Sequence, residues 1–126
     1  MKRALLTTRY RSYSTVTEQA SEFVGALTER EWLAFVRRTQ TLDLSLATGR
    51  PPVGVSERIE GSSEGLWELR VTRGRGPQIR FLYIREGDEI LIVRCLRKRE
   101  PRIKRREIQL AERDAKEWRG KGKRPS

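Results

Sequence analysis

Residues 65 to 106, GLWELRVTRGRGPQIRFLYIREGDEILIVRCLRKREPRIKRR, constrain the fold more than any other stretch, because apolar and polar side chains alternate there with the period of a strand. Leu66 to Val71 places Trp67, Leu69 and Val71 on one face and Leu66, Glu68 and Arg70 on the other. Gln78 to Arg85 does the same with Ile79, Phe81 and Tyr83 against Arg80, Leu82 and Ile84. Glu89 to Leu96 is almost continuously apolar, as a central strand covered on both sides would be. The connections are short: the Gly-rich segment 72 to 77, carrying Arg73 and Arg75, and the turn Glu86-Gly87-Asp88. The expectation is a meander whose one face carries arginines. Val53 to Ile59 can add a short edge strand, and residues 60 to 65 read as a loop.

Helical spacing surrounds this core. Thr17 is placed to cap a helix whose Ala20, Phe23, Val24 and Leu27 form one stripe. Thr28 with Glu31 has the spacing of a capping box for a second helix bearing Trp32, Phe35, Val36, Thr39 and Leu42, which must end before Gly49 and Pro51-Pro52. A third helix is predicted over 105 to 119 from Ile108, Ala111, Ala115 and Trp118. The α+β fold so predicted has an antiparallel sheet of three to four strands, packed by an N-terminal helical hairpin and a C-terminal helix. At 126 residues, a single domain over 1–126 is expected, with 1–16 as a flexible arm or edge strand and 120–126 as a disordered basic tail.

Charge decides between functional classes. The chain carries 28 Lys+Arg against 17 Asp+Glu, a net charge of +11, which calls for a polyanionic partner: nucleic acid or an acidic protein, with an anionic membrane third. Residues 61–126 hold 19 of the cations against 10 acids, and the thirteen residues 94 to 106 alone hold eight against one. Solubility does not require that density, and phosphate contacts are its simplest cause. The absence of histidine removes the commonest general base and metal ligand and any nuclease mechanism built on a histidine pair. One cysteine, Cys95, excludes an intramolecular disulfide and is expected to be a small buried hydrophobe. No run approaches the roughly 20 apolar residues of a membrane span, so the expectation is a soluble, cytoplasmic protein.

The order GLWELR, QIRFLYI, ILIVRCL, Arg97-Lys98-Arg99 and a helix beginning REIQLA resembles the HigB branch of the RelE superfamily, toxins of type II toxin–antitoxin modules. The resemblance covers about residues 52 to 119. It implies a compact α+β domain that cleaves mRNA, usually in the ribosomal A site, and is silenced by a cognate antitoxin with a helix-turn-helix DNA-binding domain. It also implies that Glu68, Arg70, Arg80, Lys98 and Arg99 are catalytic. No tyrosine follows Arg99, where some relatives place one near the scissile phosphate.

The chemistry points the same way. RNA brings its own nucleophile, the 2′-OH, so a protein can cleave it by aligning the backbone, stabilising the charge on phosphorus and assisting two proton transfers. Arg70 and Arg80, on one alternation face of neighbouring strands, suit a bidentate grip on phosphate. Glu68 is the candidate base and Lys98 a candidate acid or base. Arg73, Arg75, Arg94, Arg97, Arg102, Lys104 and Arg105 are candidate RNA contacts. The scheme calls for no metal and no cofactor. A non-catalytic RNA- or ribosome-binding protein on the same scaffold, a degenerate toxin, is the alternative; there Glu68 and Arg70 are a solvated ion pair.

Overall fold

The computed structural model describes residues 2–49, 54–71 and 77–122. Strands β1 (Arg3–Thr7) and β2 (Ser12–Thr15) precede helices α1 (Glu18–Gly25) and α2 (Glu29–Ala47). Strands β3 (Ser56–Arg58), β4 (Trp67–Val71), β5 (Gln78–Glu86) and β6 (Glu89–Lys98) follow, and helix α3 (Arg105–Gly122) completes the order. All six strands join one sheet in the order β1-β2-β6-β5-β4-β3.

This corrects the expected architecture. The sheet has six strands and is mixed, because β2 runs parallel to β6, with Tyr13 beside Ile90 and Thr15 beside Ile92. The remaining neighbours are antiparallel. There is no N-terminal helical hairpin either. Two strands come first, and α1 and α2 lie on the sheet, α1 against β6 and β2 and α2 against β4. Pairing β2 with β6 joins residues nearly 80 positions apart, which local alternation does not reveal. β2 also reads SYST, in which Ser14 and Thr15 are buried, the latter 2.7 Å from the Ser21 hydroxyl.

Both faces are covered. On one, Phe35 and Leu42 of α2 and Ala20 of α1 pack on Tyr13, Leu69, Phe81, Tyr83 and Ile92. On the other, Ala111 and Ala115 of α3 pack on Leu82, Ile84, Leu91 and Val93. So α3 lies on the arginine-bearing face, not on the opposite one. The caps work as spaced: the Thr17 hydroxyl accepts from the Ala20 amide, and Thr28 and Glu31 form a reciprocal capping box. The β5–β6 turn needs a left-handed residue, which Gly87 supplies at φ 58°. Gly120 to Gly122 continue α3, and the remainder of the predicted tail lies outside the described residues.

A bulge in β6 matters most for function. Leu82 faces Arg94 while Tyr83 faces Ile92, which leaves Val93 as an extra residue. Beyond it the faces exchange. Arg94, Leu96 and Lys98 join Arg80 on the α3 side, whereas Cys95 and Arg97 pass to the α1/α2 side.

Candidate nucleic-acid interface

The ends of β4 and β6 and the start of β5 meet at one edge of the sheet, where Arg70 stands opposite Arg80 and Gln78 opposite Lys98. Glu68 lies under them and is buried. One of its oxygens, Oε1, accepts from Arg70 Nε at 2.7 Å and lies 3.0 Å from an Arg80 terminal nitrogen. Arg70 reaches on to Glu57 at 3.1 Å, and its side chain is 26% exposed. Hydrogen bonding to Glu68, ahead of the opposing effect of burial, raises its already high pKa, so it is a permanent cation.

Arg80 is only 2% exposed. Its guanidinium donates to the carbonyls of Pro101 at 3.0 Å and Glu100 at 2.9 Å, and to the Gln78 side chain at 3.1 Å. Lys98, also buried, donates from Nζ to the Arg102 carbonyl at 2.9 Å. Two cations from the sheet therefore hold three successive carbonyls of the β6–α3 loop. These carbonyls lie outside regular secondary structure and find their donors in side chains instead. Neither Arg80 nor Lys98 can grip phosphate without releasing that loop.

The other sequence-derived residues divide. Arg99, Arg102, Lys104 and Arg105 are exposed on the loop and the first turn of α3. Arg99 has no hydrogen bond or ion pair among the described residues. Arg94 pairs with Glu107 of α3. Arg97, moved across by the bulge, pairs with Glu31 of α2 and stacks over Phe23 at 5.3 Å from the ring centre, so it belongs to the other face. Arg73 and Arg75 lie outside the described residues. The structure thus joins Glu68, Arg70 and Arg80 directly, links Lys98 to Arg80 through the loop that both hold, leaves Arg99, Arg102, Lys104 and Arg105 exposed on that loop and the start of α3, and separates Arg97.

Three contributors were missed by sequence reasoning. Glu57 braces Arg70, Gln78 braces Arg80, and Ser56 donates to the Glu68 carbonyl at 2.8 Å while sharing a 2.7 Å hydrogen bond with the Tyr83 hydroxyl. Ser56 and Gln78 come with no sequence signal beyond lying on strands. Glu57 could have been found only from the β3–β4 pairing that sets it beside Glu68. Tyr83 is buried on the α1/α2 face, and burial pushes its hydroxyl pKa upward. Cys95 is buried as expected, its thiol pKa also raised by burial.

What the arrangement offers chemically is anion binding. A loop anchored by Arg80 and Lys98, together with the first residue of α3, presents four exposed cations, and Arg70 adds a half-buried guanidinium. The carboxylate beneath them is already engaged by two of the cations. Such a sheet, helix-faced on both sides and cationic at one edge, defines a strongly basic α+β protein. The chain belongs to the Phage derived protein Gp49-like family, which it matches over residues 26–116. This is a RelE-like family associated with the toxins of toxin–antitoxin modules, whose members imply a cognate antitoxin. No curated protein matches the chain. Among the described residues no helix is long and apolar enough to cross a membrane.

Proposed function

We propose that the protein is the toxin of a type II module of the HigB kind and an endoribonuclease that cuts mRNA in the cytoplasm, engaged on the ribosome. In resting cells an antitoxin with a helix-turn-helix DNA-binding domain covers its basic edge. The observation that carries this reading is the basic cluster at the sheet edge: Arg70 and Arg80 share Glu68, and the loop that Arg80 and Lys98 hold carries the exposed Arg99, Arg102 and Lys104 and leads into Arg105, in a chain of this family. In the cleavage step the 2′-oxygen attacks phosphorus, the bond from phosphorus to the 5′-oxygen breaks and that oxygen takes a proton from water, leaving a 2′,3′-cyclic phosphate and a 5′-hydroxyl. Arg70 and Arg99 neutralise the charge that builds on the phosphoryl oxygens. Arg80 and Lys98 hold the loop on which Arg99 and Arg102 ride. Among the described residues Glu68 is the carboxylate that both Arg70 and Arg80 engage, so it is the group assigned to take the 2′-OH proton.

Purified protein mixed with ribosomes and a reporter mRNA tests this. The expected result is cutting within the coding region, with 5′-hydroxyl ends, diminished in Arg70→Gln and Arg99→Gln. Uncut mRNA under conditions where ribosomes are bound would leave the second reading, a binding protein on the same scaffold. One observation favours that second reading: the same Glu68 oxygen is engaged by two guanidiniums, so it is not free to meet a substrate hydroxyl as it stands.

A further inference from the structure

Helix α3 sorts its charges. Three of its four acids turn to the inner face or its flanks: Glu107 pairs with Arg94, Glu112 accepts from the Ser63 amide at 2.7 Å, and Asp114 is half-buried. Ala111 and Ala115 face the sheet. The outward face carries Arg106, Gln109, Arg113 and Lys116, all exposed, at the spacing i, i+3, i+7, i+10 of a single helical stripe. Three cations stand along it with one carboxylate, the exposed Glu117, which pairs with Lys121 at 3.1 Å. Arg113 has a side chain 70% exposed, and its one ion-pair contact, to Asp114, is a loose 3.7 Å.

We infer that this outward stripe is a second RNA-binding surface, separate from the sheet-edge site, that engages the phosphate backbone of a double-stranded segment of RNA; it rests on the RNA-handling role proposed above. The stripe is straight and rigid, spanning roughly 15 Å from Arg106 to Lys116 at about 1.5 Å per residue. A duplex offers a regular array of phosphates at least as dense as these cations, and double-stranded RNA is recognised mainly by shape and backbone contacts. Two competing partners fit less well. Single-strand binders stack bases on exposed aromatic rings, and the one aromatic of α3, Trp118, packs inward. A protein partner would want apolar or aromatic anchors at the centre of the patch, and none of the strongly exposed large apolar side chains lies on α3. The stripe begins one residue beyond the site loop, so an RNA whose single strand enters the sheet edge can lay a neighbouring stem along α3.

The test is binding of a fluorescent RNA hairpin to the full-length protein across a salt series, with an unstructured RNA of equal length and a poly-glutamate peptide as comparisons. The variant is Arg106→Gln/Arg113→Gln/Lys116→Gln, shown by thermal melting to remain folded. Hairpin affinity should fall about tenfold or more at physiological salt, and the slope of log K against log salt should lessen by roughly 2 to 3, the count of lost phosphate contacts. Unstructured RNA should lose much less. An unchanged hairpin affinity and slope overturns the inference, as does an equal loss for unstructured RNA or tighter binding of poly-glutamate than of the hairpin. A wild type that binds the hairpin through the stripe yet cuts no mRNA upholds the surface and removes the nuclease reading.

Discussion

Two networks of buried charge lie on opposite faces of the same sheet, and they do different things with the same physics. On the α1/α2 side, Tyr13 of β2 donates to Asp43 of α2 at 2.6 Å, and the Arg11 guanidinium lies 2.8 Å from the same carboxylate oxygen. Burial and the bond to Asp43 push the Tyr13 pKa upward, so the ring stays a neutral donor. This network fastens a helix to an N-terminal strand and exposes nothing. On the α3 side, Glu68, Arg80 and Lys98 are equally buried, yet they fasten a loop that holds Arg99 and Arg102 out into solvent. Burial of an ion network alone therefore says little about chemistry. What distinguishes the second is the unpaired charge it presents, and its buried cations act by posture rather than by contact.

The strongest way to break this comparison is to remove Arg80. Arg80→Ala takes the donors from the Glu100 and Pro101 carbonyls and leaves the buried Glu68 with one of its two partners. It should cost about 3 to 5 kcal/mol, read as a fall in the urea midpoint at constant slope. Arg80→Lys should recover little of this, because a single ammonium cannot replace the fork that serves four acceptors. A loss of stability no greater than that of an exposed arginine would mean that the loop is not held from the sheet. Next comes Asp43→Ala, which strands Arg11 in a site with 10% side-chain exposure and should cost about 3 kcal/mol. RNA binding per folded molecule should not change, which is where the two networks part.

The Glu31–Arg97 pair sharpens the same contrast through pH. The bond from Arg97, followed by the Thr28 amide, holds the Glu31 carboxyl down to about 2. A carboxyl whose folded pKa lies below its unfolded value stabilises the fold fully above that unfolded value, near pH 4.5, and loses the contribution as the pH falls toward 2. Acid titration of stability should show this limb, and Glu31→Gln should flatten it. Thr28→Ala, which removes only the hydroxyl half of the capping box, should cost about 1 kcal/mol at neutral pH.

These residues also mark what the sequence made legible. The alternation of Trp67, Leu69 and Val71 and of Ile79, Phe81 and Tyr83 is local, so the β4–β5 register that sets Arg70 beside Arg80 could be read directly. Thr17 and Thr28 announce their helices because a cap is a short-range hydrogen bond. The N-terminal strands were legible only as a flexible arm or an edge strand, not as two strands with β2 inside the sheet. They are short, half-polar, and depend on a partner far along the chain. The bulge at Val93 lies in an apolar run covered on both faces, where a shift by one residue leaves no trace in the pattern, so Arg97 was expected among the RNA contacts beside Lys98. Nor could composition tell that Arg80 and Lys98 are spent on loop carbonyls, since that demand exists only once the loop has turned back over the sheet.

The smallest effect on stability belongs to Arg99, and it separates presenting a charge from holding one. The side chain is exposed and makes no ion pair among the described residues, so Arg99→Gln should change stability by less than about 0.5 kcal/mol. Its loss should appear in binding: RNA affinity should fall several-fold, and the salt slope should lessen by roughly 0.7 to 0.9, the signature of one phosphate contact. Arg80→Ala, assayed on the fraction that remains folded, should lose at least as much affinity although its own guanidinium is shut away from solvent, because the loop that carries Arg99 is no longer held. If the folded Arg80→Ala protein binds RNA with wild-type affinity and slope, the buried network does not position the exposed one, and the two faces of the sheet are alike after all.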